Sequence, residues 1–153
     1  MLGVAQFIMI LDSSVMNVSI SQVAASLDTT ISGMQAAITM YALTMAAFML
    51  TGAKLGDIWG RKRTFVIGSM VYATGSFLTA ISGSLGMLLT GWSLIEGLGA
   101  ILVIPAIAAL TAINYSGKDR ITAFSLLSVA TGLAAALGPI IGGAVTTYLS
   151  WRY

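Results

Sequence analysis

The sequence predicts an all-α membrane protein with about five membrane-spanning helices. Three observations predict it. Of 153 residues, 58% are hydrophobic and only 8% are charged, with a mean hydropathy of +0.96. A soluble domain carries roughly 25% charged residues, so this chain lacks the charge to cover a water-facing surface. Its apolar runs are about 20 residues long, the length a helix needs to cross a bilayer, and they do not alternate apolar with polar as barrel strands would.

The first run extends from Leu2 to Val23. It has no basic segment before it and carries Asp12 near its middle, which disfavours a cleaved signal peptide. The second runs from Met34 to Ala53, the third from Thr64 to Ile81, the fourth from Leu85 to Leu110 and the fifth from Ile121 to Leu149. The connections between them differ in charge. Residues 24–33 hold only Asp28, and Ser82 to Ser84 is short and uncharged. Of the seven basic residues, Lys54, Arg61, Lys62 and Arg63 fall in the second connection, Lys118 and Arg120 in the fourth, and Arg152 near the end. Positive charge marks the cytoplasmic side, so the N-terminus and loops 54–63 and 111–120 are expected to be cytoplasmic in a multi-pass protein of the cell (plasma) membrane. Trp151-Arg152-Tyr153 ends abruptly, and the expectation is one transmembrane domain over 1–153, truncated before a sixth helix.

The net charge of +2 does not indicate nucleic-acid binding, because the basic residues sit between apolar runs as topology requires. With no Cys and no His, disulfides, thiol catalysis, His-based metal sites and a Ser-His-Asp arrangement are excluded. No catalytic residue, metal or cofactor is expected, and the chain is not read as an enzyme. The lipid bilayer is its expected solvent.

Two acids lie within predicted spans, Asp12 in the first and Glu96 in the fourth. A charge at bilayer depth costs a few kcal/mol even on lenient insertion scales, so such residues tend to face the bundle interior or a wet cavity. A carboxyl that changes protonation with exposure can couple proton flow to another movement. Each acid could instead be structural, bonded to a neighbouring helix. Around Asp12, the residues Ser13, Ser14, Asn17, Ser19 and Ser21 make the outer half of the first span polar. Met16 and Ser19 follow Asp12 on one helical face, a pattern that suits a cavity wall. Gly99 and Ala100, one turn after Glu96, mark a helix–helix contact that turns Glu96 into the bundle.

In the fifth span, Gly132, Ala136, Pro139 and Gly143 recur at helical spacing and predict a close-packing face. Pro139 lacks an N–H, so it should bend the helix and free the carbonyl of Ala135. Pro105 predicts a similar bend in the fourth span. The segment Gly52 to Arg63 combines glycines with Asp57 among basic residues. Topology alone accounts for the positive charge, but not for Asp57 or the glycine spacing. Asp57 is well placed to cap the next helix. A phosphate-binding G-x-x-x-x-G-K-[ST] loop is not present.

These motifs, in this order, resemble the major facilitator superfamily, and most of all the N-terminal part of its fourteen-span drug–proton antiporters. The family's L-D-x-T-x-V-N-V-A-L-P motif is similar to Leu11 to Ser21, with Ser21 where the family has Pro. Its G-x-L-x-D-R-x-G-R-K loop is similar to Ala53 to Lys62, with Ala53 for the first Gly and Ile58 for the Arg. Its R-x-x-Q-G-x-G-A motif is similar to Ser93 to Ala100, with Ser93 for the Arg and Glu96 for the Gln. Its antiporter-type G-P-x-x-G-G motif is matched by Gly138, Pro139, Gly142 and Gly143 without departure. Arg120 is similar to the basic residue that opens helix five, and Trp151-Arg152 to the external segment before helix six.

The resemblance implies an incomplete N-terminal six-helix half of a major facilitator fold, completed by the remaining helices of a longer transporter. It implies proton-coupled multidrug efflux of small amphipathic molecules by alternating access, with protons and a small-molecule substrate as partners. Asp12, Asn17 and Glu96 are the proton- or substrate-binding candidates, the first and fourth helices being repeat partners. Gly56, Asp57, Gly60, Arg61 and Lys62 are implied to form a conformational latch. A metabolite exporter, an uncoupled facilitator of the same fold, and a non-transporting helical module remain alternatives. An intramembrane hydrolase would need a nucleophile–base pair, and none is evident.

Overall fold

The first apolar run does not form one straight helix. In the computed structural model, which describes residues 1–148, α1 spans Leu2–Val18 and α2 spans Ile20–Ser26, bent by 69° at the break. The break falls at Ser19, whose backbone takes φ −84° and ψ 2°. Both its backbone N–H and its hydroxyl donate to the carbonyl of Val15, at 3.0 and 2.8 Å. The expected single span from Leu2 to Val23 is therefore a broken one.

The expected connection over 24–33 contracts to residues 27–30. Asp28 takes a positive φ of 48°, a conformation in which Asp is tolerated. Thr30 then caps α3 by accepting from the N–H of Gly33 at 3.0 Å. Helix α3 runs Ile31–Trp59. It passes straight through most of the segment expected to be a loop, because Lys54 to Trp59 contains no residue that would stop a helix. Gly60 alone breaks the chain, at φ 89° and ψ 132°, a region that glycine enters without strain. Helix α4, Arg61–Ala80, starts at once.

After residues 81–84, the fourth apolar run forms α5 (Leu85–Leu88), a π-helical segment (Leu89–Glu96) and α6 (Gly97–Asn114) without interruption. Helix α7 spans Gly117–Tyr148. There is no strand among the described residues. Leu149 and the Trp151-Arg152 pair lie outside them.

Three of these helices, Ile31–Trp59, Leu85–Asn114 and Gly117–Tyr148, are long and apolar enough to cross a membrane, and the bent pair α1–α2 adds a fourth. Helix α4 falls short in apolarity. Arg61, Lys62 and Arg63 open it, and hydroxyl residues dilute the rest. Ser69, Thr74 and Thr79 answer for themselves by donating to the carbonyls four residues back, at 2.8 to 2.9 Å. That satisfies polar groups which lipid would leave unpaired.

Helix α1 lies along α7. Helices α3 and α4 both pack on the π segment and α6, and α6 and α7 touch only lightly. One apolar cluster joins α1, α2, α3, α5 and the π segment through Met16, Val23, Leu27, Met34, Leu88 and Trp92. Another, with Met9, Tyr72, Ala100, Val103 and Ile107, joins α1, α4 and α6. Outward-facing Leu50, Met70, Phe77 and Leu126 suit contact with lipid tails.

Candidate functional site

Asp12 sits two-thirds of the way along α1, and its Oδ2 accepts two hydrogen bonds. The Tyr72 hydroxyl on α4 donates at 3.1 Å, and the Trp92 indole N–H on the π segment donates at 3.4 Å. Trp92 is held in turn by stacking on Tyr41 of α3, with ring centroids 4.9 Å apart and planes at 11°. Three helical segments thus converge on one carboxylate.

Glu96 ends the π segment and is fully buried, with 0% exposure. Asp12 and Tyr72 lie within electrostatic reach of it, yet among the described residues neither of its carboxyl oxygens has a partner within hydrogen-bond distance. Its placement is set by glycine. A Cβ on Gly75 of α4 would lie 2.5 Å from the Glu96 backbone nitrogen and 2.8 Å from its Cα. Only a residue without a side chain lets α4 press against the backbone there. Ser93, which stands where the family has Arg, is also buried and donates to the carbonyl of Ala37 on α3 at 2.8 Å. The position is used as a helix–helix tie.

A cleft of about 270 Å³ opens beside Asp12, lined by Asp12, Val15, Met16 and Ser19 of α1, Ser76 and Thr79 of α4, and Ile141 and Thr146 of α7 among others. The cavity face expected from Asp12, Met16 and Ser19 is the face that lines it. Asn17 is not part of this arrangement. It is exposed, and its amide donates to the carbonyl of Ser13 on its own helix at 2.7 Å.

The fifth-helix motif packs on a different face from the one expected. Ala134, Gly138 and Gly142 are the buried residues of α7. Gly138 receives the Ser14 side chain, and Gly142 receives Val15, whose Cα would lie 3.3 Å from a Cβ there. Among the described residues nothing approaches within 4 Å of a Cβ at Gly132 or Gly143, and Ala136 and Pro139 are exposed. The expected face over Gly132, Ala136, Pro139 and Gly143 is displaced because α1 selects the neighbouring ridge. The carbonyl of Ala135, left without a helical donor by Pro139, accepts from the Ser14 hydroxyl at 3.4 Å.

The latch candidates form a helical corner rather than a loop. Asp57 pairs with Arg61 across Gly60, and Gly56 is buried close to Arg61 and Thr64. Asp57 does not cap α4. Gly60 occupies the cap position and no side chain bonds there. Arg61 and Lys62 open α4 at a groove with Trp59, Val66 and Ile67. Asp57 lies sixteen residues beyond Tyr41 on α3, roughly 24 Å along the axis, so the corner and the carboxyl site are separate.

Sequence reasoning did not assign Tyr41, Tyr72 or Gly75 to the site. The signal existed in the two tyrosines, since a phenol buried in a membrane helix needs a polar partner for its hydroxyl.

A helical bundle with apolar spans, one acid facing a cleft and another buried within it, is a multi-pass α-helical membrane protein. The chain belongs to the Major Facilitator Superfamily, whose profile matches residues 2–153. It is similar to the probable actinorhodin transporter of Streptomyces coelicolor, 37% identical over 91% of this chain and 24% of that protein. It is also similar to the methylenomycin A resistance protein of Bacillus subtilis, 34% identical over 93% of this chain and 30% of that protein. The multidrug resistance protein Stp of Mycobacterium tuberculosis is 28% identical over 98% of this chain and 28% of its own length. The chain thus spans under a third of the length of these curated relatives.

Proposed function

We propose that the chain is the N-terminal part of a fourteen-span proton-coupled efflux antiporter, which exports drugs or other small amphipathic molecules by alternating access. The observation that carries this reading is Asp12. A mid-helix carboxylate tied to α4 and the π segment, facing a cleft, offers a cationic substrate a negative charge inside the membrane, and exchange requires that a proton leave the site as that cation arrives. The names of similar proteins, which include antibiotic and multidrug resistance proteins, support efflux. The match to the antiporter-type motif at Gly138 to Gly143 supports exchange.

In this reading the N-terminus and residues 54–63 and 111–120 are cytoplasmic. The Asp57–Arg61 pair then belongs to a cytoplasmic latch that holds one state and releases as the halves rock. The full-length protein, reconstituted in liposomes, should export a fluorescent cation when a pH gradient is imposed. Asp12→Asn should lower gradient-driven efflux at least about tenfold, equivalent to ~1.4 kcal/mol. Unchanged coupling in that variant would sink the assignment. Asp57→Asn should slow turnover severalfold with dye affinity preserved. If that variant instead fails to insert, the corner serves topology only.

A further inference from the structure

Two carboxyls share this site, but they are not equivalent. Asp12 has two donors on one oxygen and lines the cleft. Among the described residues Glu96 has no donor within hydrogen-bond distance of either oxygen, is completely buried and lines none of the clefts beside Asp12. An ionised carboxylate in such a place would bear the full cost of lost hydration with nothing to offset it. A neutral carboxylic acid bears far less. The charged and titratable groups facing Glu96 are Asp12 from α1, Tyr72 from α4 and Tyr41 from α3. None of these is a cation, and Tyr72 is the one neighbour among the described residues with a proton to offer. The donors go to one acid and the burial to the other.

We infer that Glu96 carries the exchangeable proton of this site, while Asp12 is the standing anion that meets the ligand. The inference rests on the antiport reading and divides its labour. A cation that docks on Asp12 from the cleft brings positive charge within reach of Glu96 and favours its ionisation. The proton leaves Glu96 as the cation arrives. When the cation departs, Glu96 takes a proton up again. The bond that breaks and reforms is the O–H of Glu96, and charge balances because one positive charge replaces another. Glu96 thus makes a titratable group out of a position that holds Gln in the family pattern.

Ethidium binding to the purified full-length protein in weakly buffered detergent tests this. The unmodified protein should release close to one proton per bound ethidium, read with a pH dye. Glu96→Gln, which mimics the protonated acid in shape, should lose the release at saturating ethidium, and its affinity should fall at least about tenfold, because release of close to one proton deepens binding through reciprocal coupling. Glu96→Asp should restore it at least in part, and Asp12→Asn should lose affinity at least tenfold. Infrared spectra should show a carboxylic-acid C=O band that Glu96→Gln removes and Asp12→Asn retains. Undiminished proton release by Glu96→Gln, or an infrared band unaffected by it, overturns the assignment. If the unmodified protein binds ethidium without releasing protons while the Glu96 band is present, the antiport reading falls and the protonation of Glu96 stands.

Discussion

Helix α4 meets the π segment and α6 backbone to backbone, whereas α1 meets α4 across side chains and clefts. In the first contact a Cβ on Gly99 would lie 2.5 Å from the backbone nitrogen of Tyr72, and one on Gly75 would collide with Glu96. In the second, clefts of about 270 and 500 Å³ separate α1 from α4, and the Asp12–Tyr72 bond crosses between them. Backbone contact without side chains gives one deep packing minimum that tolerates little sliding. A seam spanned by a carboxylate and its donors is sensitive to charge. The difference places rigidity behind the acids and responsiveness in front of them.

Substitutions that break the rigid contact should have the largest effect. Gly99→Ala should destabilise the protein by about 1–3 kcal/mol, the cost of overpacking a tight core, because its Cβ meets backbone that cannot turn aside. Gly143→Ala, with nothing within 4 Å among the described residues, is the matched control and should be close to neutral. Thermal unfolding of the full-length protein in detergent, followed by tryptophan fluorescence, checks both. Equal effects would show that the glycines reflect composition and not contact.

The seam should respond more gently. Tyr72→Phe removes the shorter of the two bonds to Asp12 and should cost about 1 kcal/mol, within the range of interhelical hydrogen bonds in membranes. Trp92→Phe loses a longer bond but keeps a ring to stack on Tyr41, so its cost should be smaller. Both costs should shrink in an Asp12→Asn background, since the charge they serve is gone. A double-mutant cycle on unfolding free energy measures this coupling, and strictly additive costs would remove Asp12 from the seam.

The rigid side and the seam were not equally legible in the sequence. The all-helical class, the two acids and the cavity face of α1 follow from run length, charge cost and helical spacing, which are local properties. The donors to Asp12 lie sixty and eighty positions away, and no local pattern ties Tyr72 or Trp92 to it. The packing face of α7 was misplaced for a related reason. Small residues on that helix occupy several ridges, so spacing offers candidates and only the partner helix selects among them. The bend at Ser19 and the straight passage of α3 to Trp59 turn on single backbone decisions. The backbone angles at Ser19 and the positive φ of Gly60 decide them, and hydropathy averages over both. The π segment that places Trp92 and Glu96 leaves no hydropathy signature either.

The smallest effect offers the sharpest test of how α1 is tied to α7. Pro139 leaves the carbonyl of Ala135 without its helical donor, and Ser14 supplies a long bond to it at 3.4 Å while its side chain fills the notch at Gly138. Ser14→Ala keeps the Cβ in that notch and removes only the hydroxyl. Interhelical hydrogen bonds in membranes average about 0.6 kcal/mol, and the cost should be of that order. Pro139→Ala restores an N–H to the helix, which then satisfies Ala135 from within. In that background Ser14→Ala should cost nothing measurable, because the hydroxyl no longer answers an orphaned acceptor. A cost that persists unchanged in the Pro139→Ala protein would mean that the Ser14 hydroxyl does not act through the proline. The tie between α1 and α7 would then rest on the glycine notch alone.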